Sequence, residues 1–467
     1  TALVNVLAIV LSLLTVKLLH GSFESLVGKE IPTTIFTNGS LLVVCLIAFL
    51  AGTILSGLYP AFILSGVNPL QALKSGSQHG TGGSNTWLQR SLVVVQFTAS
   101  VALVASTIII YNQLSYMQNK KLGVNVDQTL VVKGPRAIDT TLVNPGQLFS
   151  ERLEGLAQFD EVMGSSTVPG QPFGWTAGGI QRMDTGEEMD EGFHVMAADY
   201  DYANNYEMAL VAGEYIKEGQ EGGENAACLI NETALAILGY EKAEDAVGKG
   251  LSFWGDDYVI NGVLADFHQE SPKAVVEPLI LRGMPHDWLP DYFSMKIKAD
   301  QIPTVLSNAE KTWSETYPGN PFEYFFLDEH FAAQYAADQR LGQVFTFFSA
   351  LAIIVSCLGL FALVAFMAER KKKEIGIRKV LGSSVAGIVT LLSKDFVQLM
   401  LIALVIATPI AWYFMDGWLE NFAERTTIKW WVFALAGVGS IIIALLTIGY
   451  QGVKAALVNP VDSLRSE

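Results

Sequence analysis

Residues 343–384 read QVFTFFSALAIIVSCLGLFALVAFMAERKKKEIGIRKVLGSS. The first part, Gln343 to Met367, runs 25 residues without an Asp, Glu, Lys, Arg or His. A bilayer core about 30 Å thick takes roughly 20 apolar residues at 1.5 Å of helical rise each. The stretch is therefore long enough to cross a membrane. Directly after it stand Arg370, Lys371, Lys372 and Lys373, a basic run of the kind that stays on the cytoplasmic side. These 42 residues thus predict a membrane span and its orientation together.

The rest of the chain agrees. Of 467 residues, 51% are hydrophobic and only 16% charged, which is too apolar for an ordinary soluble surface. Five further stretches meet the same length requirement: Ala2 to Leu19, Leu41 to Pro60, Ser91 to Tyr111, Phe396 to Met415 and Trp430 to Tyr450. Their one charged residue, Lys17, sits near a span end, where its stem reaches the interface. The expected fold class is a membrane α-helical protein of six transmembrane helices with a large extracytoplasmic mixed α+β domain. The chain begins at Thr1 inside an apolar run, without the charged flank and cleavage site of a signal peptide, and reads as part of a larger protein. Cys45, Cys228 and Cys357 fall in no paired or metal-ligand spacing.

Between the third and fourth spans lies a polar stretch, residues 112–342, too long for a loop and sized like a domain. It holds 15 Lys and Arg against 36 Asp and Glu, a net charge of −21, while the whole chain carries −16. The short segments 61–90, 368–394 and 451–467 together hold 11 Lys and Arg against four acids. Positive charge marks those three as cytoplasmic, so the acidic domain is expected outside the membrane, with short hairpins near residues 20–40 and 416–429 facing the same way.

The end of the second span reads VNPLQALK at residues 67–74, and the end of the chain VNPVDSLR at residues 458–465. The match predicts a repeated unit, with residues 1–75 as the tail of a first half. Residues 76–90, rich in Gly and Ser, read as a cytoplasmic linker. Span 91–112 follows, then the outer domain with its stalks at 113–342, then three spans with a cytoplasmic segment 368–394 in 343–467. Within the outer domain, strands are expected at Thr129 to Lys133, Val162 to Ser166, Tyr258 to Leu264 and Phe322 to Leu327. Helices are expected at Gly146 to Phe159, with Leu148, Phe149, Leu153 and Leu156 on one face, and at Thr304 to Thr316. The Gly-rich middle, Gly174 to Asp266, suggests an inserted second lobe. Ser91 to Lys121 contains no Gly or Pro, and Glu329 to Met367 contains only Gly342 and Gly359. Both runs exceed one membrane thickness and are expected to continue outward as stalks.

Residues 368–384, AERKKKEIGIRKVLGSS, resemble the cytoplasmic motif of the FtsX-like permeases of ATP-binding cassette systems, the class that includes MacB. LGVNVDQTLVV (122–132), LINETALAILG (229–239), VLADFH (263–268) and PFEYFFLDEHF (321–331) resemble the MacB-like periplasmic core domain, in the same order. The resemblance implies the C-terminal portion of a two-half permease that works with an ABC ATPase subunit. It further implies a second permease copy or half, membrane lipid around the spans, and a periplasmic adaptor or outer-membrane partner; nothing points to nucleic acid. The motif's counterpart contacts the ATPase, which places Glu374, Ile375, Gly376, Ile377, Arg378, Lys379, Val380, Leu381 and Gly382 at that contact. Arg370, Lys371, Lys372 and Lys373 would set topology and touch anionic lipid. An apolar ridge among basic residues suits docking, since topology alone needs no apolar side chains there. Ser383 or Ser384 is placed to cap the following helix.

No G-x-x-x-x-G-K-[ST] occurs, so no loop of this chain is built to cradle ATP phosphates. The chain is expected to be non-catalytic and to bind no cofactor or metal of its own, with ATP and Mg on the partner ATPase. Asp266 and His268 stand two apart but lack a third ligand at a metal spacing. The acidic runs at residues 187–191 and 218–224 read as solvated loops, and neither follows EF-hand spacing. Pro409, mid-span, is expected to kink its helix. The function these features predict is export or mechanotransmission of an antibiotic, antimicrobial peptide or lipoprotein type of substrate. The alternative is a membrane signalling or sensor protein with an extracytoplasmic ligand-binding domain, which would call for a longer cytoplasmic output segment.

Overall fold

The computed structural model describes residues 2–28, 39–65, 85–120, 122–137, 144–156, 158–159, 161–222, 226–285, 288–297 and 302–457. In chain order these form α1 (Ala2–Val27), α2 (Gly39–Ser65), α3 (Asn85–Asn119), β1 (Thr129–Lys133), α4 (Pro145–Glu154), β2 (Val162–Ser165), β3 (Trp175–Ala177) and β4 (Gln181–Arg182). Next come β5 (Phe193–Ala198), α5 (Tyr202–Asn205), β6 (Leu210–Gly213), β7 (Ala227–Asn231), α6 (Glu232–Ile237), α7 (Ala243–Ala246), β8 (Gly250–Phe253), β9 (Asp256–Leu264), β10 (Leu279–Gly283) and β11 (Tyr292–Lys296). The chain continues through α8 (Ile302–Thr316), β12 (Tyr324–Phe326), α9 (Leu327–Gln334), α10 (Ala336–Arg370), α11 (Lys372–Val380), α12 (Val385–Leu419) and α13 (Trp430–Leu457). They divide into two compact units, one of Thr1–Asn112, Asp338–Trp418 and Thr427–Glu467, the other of Gln113–Ala337 and Leu419–Thr426.

The first unit is helical. Among the described residues five helices are long and apolar enough to cross a membrane: Leu3–Val27, Arg90–Asn119, Ala336–Glu369, Val385–Leu419 and Trp430–Lys454. The sequence predicts six. The remaining span, Leu41 to Pro60, falls in α2, where the qualifying apolar stretch is Val43–Ile54. Helix α2 as a whole runs 27 residues. The repeated motif at 67–74 and 458–465 and most of the linker lie outside the described residues.

Val93 and Phe97 of α3, Leu360 and Val364 of α10, Phe396, Met400 and Ala403 of α12, and Ala444 and Ile448 of α13 share one buried cluster. Hydroxyls stitch the helices where lipid offers no partner: Ser100 to Ser356 at 2.9 Å and Thr107 to Ser349 at 2.9 Å. Small residues let backbones approach, and a Cβ on Gly437 would meet Leu404 at 2.8 Å. Asn5 of α1 donates to Thr53 of α2 at 3.0 Å. Helix α12 spans 35 residues, with Pro409 inside it.

The second unit is built on one sheet in the order β12-β1-β11-β2-β5-β10-β7-β9-β8-β4, with β3 on β5 and β6 on β9. Among the described residues only β5–β10 and β7–β9 pair in parallel. Helices α4 and α8 cover one end of the sheet: Phe149, Leu153, Val305, Ala309 and Trp313 bury against Leu130, Val132, Phe293 and Met295. Phe149 meets Trp313 edge-on at 5.2 Å. The Gly-rich middle is no separate layer, because its strands continue the same sheet, although the β2–β5 seam pairs only Ser165 with Ala198. Strand β10 is buried on both faces, Leu279 and Leu281 in one cluster and Ile280 in another.

Candidate functional site

The basic motif folds as a short helix hydrogen-bonded at both ends. Lys371, the residue before α11, donates its N–H to Met367 O at 2.9 Å, and Ile375 N–H returns to Lys371 O at 2.8 Å. At the far end Gly382 takes φ +91°, a left-handed conformation that suits glycine. Gly382 N–H reaches Lys379 O at 3.1 Å and Ser383 N–H reaches Arg378 O at 2.9 Å, the paired bonds of a Schellman stop. Two residues after Gly382, the Ser384 Oγ accepts from Gly387 N–H at 3.2 Å and starts α12. Of the two serines, Ser384 makes this capping bond.

The apolar residues of this helix divide. Ile375 is 4% exposed and belongs to the helical unit's buried cluster, beside Val93, Phe97 and Ile388. Gly376 is buried with it. Ile375 is therefore not on the outward ridge, because that position of α11 faces the bundle. Ile377, Val380 and Leu381 are 48%, 65% and 79% exposed. Spaced by three and four residues, they share one face. Glu374 and Arg378 pair at 2.8 Å, both half exposed, one turn apart on the same helix. Lys379 is partly buried. The side chains of Arg370, Lys372 and Lys373 lie outside the described residues, while Lys371 is partly buried. The result is a fixed apolar ridge of three side chains beside a charged pair, a shape suited to a partner's groove.

A second contact was invisible in the sequence. Leu419–Thr426, part of the loop joining α12 to α13, belongs to the same compact unit as the sheet. The Gln113 side chain of α3 donates to Glu424 O at 2.7 Å and accepts from Thr426 N–H at 2.8 Å and Thr426 Oγ1 at 3.0 Å. Lys120 pairs with the Glu424 carboxylate at 2.5 Å, and Tyr116 OH donates to it at 3.2 Å. Lys120 holds the Glu424 pKa below the usual glutamate value. Ala423 N–H donates to Lys273 O at 3.0 Å, and the Lys273 ammonium lies 5.1 Å from the Phe422 ring centre. Gln113 is fully buried near the end of α3.

Asp266 is spent on structure: its carboxylate accepts from Thr233 N–H at 3.0 Å and Thr233 Oγ1 at 2.8 Å, at the start of α6. His268 is 7% exposed, and burial, followed by the nearby Lys120 charge, lowers its pKa. Among the described residues no group of three or more His, Cys, Asp or Glu is arranged to hold a metal. In the run 187–191 the side chains of Glu187, Glu188, Asp190 and Glu191 are exposed; in the other run Glu221 turns inward and accepts from Gly219 N–H at 3.0 Å.

Residues 346–460 match the model of the FtsX-like permease C-terminal domain. No curated protein matches the chain. Among solved structures it is similar to the periplasmic region of MacB from Actinobacillus actinomycetemcomitans, at 13% identity and TM-score 0.32, over 46% of this chain and 95% of that one. It is similar also to the extracellular domain of the noncanonic ABC-type transporter YknZ from Gram-positive bacteria, at 14% identity and TM-score 0.31, over 42% and 97%. A permease-protein domain from Porphyromonas gingivalis matches at 16% identity and TM-score 0.30, over 42% and 88%.

Proposed function

We propose, on the premise that residues 346–460 form an FtsX-like permease C-terminal domain, that this chain is the permease subunit of a MacB/FtsX-type ABC system. A separate ATPase, carrying ATP and Mg, docks from the cytoplasm on the face of Ile377, Val380 and Leu381. Its movement passes through α3 and α10 to the acidic domain outside the inner membrane. A second permease half completes the membrane unit, and work on a peptide, antibiotic or lipoprotein type of substrate is done on the outer side. The chain itself is non-catalytic.

The observation that carries this reading is the exposed ridge within the matched domain. Three large apolar side chains stand out from a helix whose both ends are tied down, in a segment where solvent alone would favour polar residues. The capped ends keep the ridge in one orientation, so a push on it moves α10 and α12 rather than bending α11. Among the described residues the side-chain hydrogen bonds between α3 and α10 are hydroxyl pairs set beside an apolar cluster, which supports transmission of movement better than an aqueous path.

Replacing Ile377 with Asp tests it. A carboxylate driven into an apolar groove costs several kcal/mol, enough to weaken docking by more than about 100-fold. Ile377→Asp should insert normally and fail to co-purify with its ATPase. Ile375→Asp should instead destabilise the permease itself, because that side chain is inside the bundle. An Ile377→Asp variant that keeps its ATPase at unchanged affinity would overturn the docking face.

A further inference from the structure

Arg282 sits near the end of β10, flanked in register by Ala197 of β5 and Cys228 of β7. It is 6% exposed, in a strand whose every other residue is buried. A guanidinium cannot shed its charge in a protein, so a buried one calls for an anion. Among the described residues no carboxylate lies within 4.0 Å of it. Its recorded partners are neutral: Nη1 donates to Tyr258 OH at a long 3.4 Å, and Cζ lies 4.5 Å from the Trp288 ring centre. The Nε is buried without any hydrogen bond. Trp175 meets Trp288 edge-on at 5.6 Å, so two indoles line the same corner.

Arg182, in the same domain, shows what normally completes such an arrangement. Its guanidinium lies 4.1 Å from the Tyr240 ring centre, and the Nε/Nη2 edge is taken by Asp184, Nε to Oδ1 at 3.1 Å and Nη2 to Oδ2 at 3.0 Å. Arg282 has the aromatic cover and the more deeply buried charge, yet the carboxylate on its Nε/Nη2 edge is not supplied by the described residues. Trp288, stacked on the guanidinium, is itself 38% exposed.

We infer that Arg282 is a binding residue for a ligand carboxylate, taken side-on by Nε and Nη2, with the ligand's apolar or aromatic body against Trp288 and Trp175. A planar carboxylate matches that edge in the bidentate manner that makes Arg pairs strong. The site belongs to the outer domain alone and does not rest on the ATPase contact.

The full chain in detergent is titrated with sodium benzoate and, separately, with neutral benzamide at matched ionic strength, following thermal midpoint and tryptophan emission. Benzoate should stabilise the protein saturably and change the emission; benzamide should do neither. Arg282→Met should lose the benzoate response, by at least about tenfold in apparent affinity, while melting no lower than the parent without benzoate, since an unpaired buried charge has been removed. Equal responses to benzoate and benzamide, or an Arg282→Met protein that responds as the parent does, would overturn the assignment. So would a parent indifferent to benzoate whose Met variant melts lower, which is the signature of a purely structural cation. Should Arg282→Met fail to fold, Arg282→Lys decides: it keeps the charge and loses the Nε/Nη2 edge, and an unchanged benzoate affinity in it would equally overturn the proposal.

Discussion

His268 stands just beyond β9, with its backbone N–H on Leu122 O at 2.9 Å and its ring largely buried near Lys120, Glu424 and Asp266. Burial lowers its pKa from an ordinary 6.5, with Lys120 pushing the same way and the two carboxylates opposing. The folded state therefore binds this proton less readily than the unfolded chain. Stability from this group is complete above the unfolded pKa and is lost as pH falls from about 6.5 towards the lowered folded value. Thermal midpoints in detergent between about pH 7.5 and about 5.5 should decline for the parent. They should decline less steeply for His268→Gln; parallel curves would contradict the assignment. Glu424, lowered by Lys120, acts in a separate window below the ordinary 4.5. The same scale shows where sequence reading stops. Ile375 and Ile377 are identical in type and two apart, and hydropathy ranks them alike. The tertiary cluster around Val93, Phe97 and Ile388, not the local sequence, decides that one is core and the other surface.

At the scale of elements, the joint between the end of α3 and the loop 419–426 rests on Gln113, which makes three hydrogen bonds with both amide ends in use. Gln113→Leu leaves those groups without that partner, which costs about 1–3 kcal/mol for a buried polar group. Hydrogen exchange at the Thr426 amide should then quicken by about tenfold or more, with β1 and β11 amides unchanged. Protection at Thr426 equal to the parent's would show that the contact holds nothing. Elements with strong local periodicity were legible: β1, β2, α8 and β9 lie where the pattern puts them. Their ends were less so. Helix α4 ends at Glu154, with Gly155 next in the chain, and β12 has three residues. The long run through 329–367 is two helices, since Tyr335 N–H turns back to Ala332 O at 3.2 Å. The strand order was not legible at all, because pairings such as Leu130 with Met295 join residues that no local period connects.

At the scale of the whole molecule, net charge is segregated: −21 in the acidic stretch, positive charge in the short loops. That asymmetry is the ground for the orientation, and it was readable because the positive-inside effect depends on composition rather than on packing. In cells with a permeabilised outer envelope, an impermeant thiol reagent should modify a cysteine placed at Glu188 and leave one at Ser383 untouched. The opposite pattern would invert the orientation and with it the side of the ATPase. Arg282 illustrates the complement. Nothing local in LILRG marks its arginine, and the buried cation becomes a question only once Trp288 and Tyr258 are folded around it.

The central claim is that movement made at the cytoplasmic ridge arrives at the outer domain through unbroken helix. Helix α3 runs 35 residues, about 52 Å, from Asn85 to Asn119. Spin labels at Glu188 and near Trp430, in a background with Cys45 and Cys357 replaced by serine, report distance by pulsed electron resonance in the assembled permease and ATPase. The distance distribution should shift between nucleotide-free and ATP-bound states. Two glycines inserted after Tyr116 should abolish that shift while the ATPase stays bound and hydrolyses ATP, because a flexible break absorbs displacement. Identical distributions in both nucleotide states, or an insertion variant that moves as the parent does, would contradict the account.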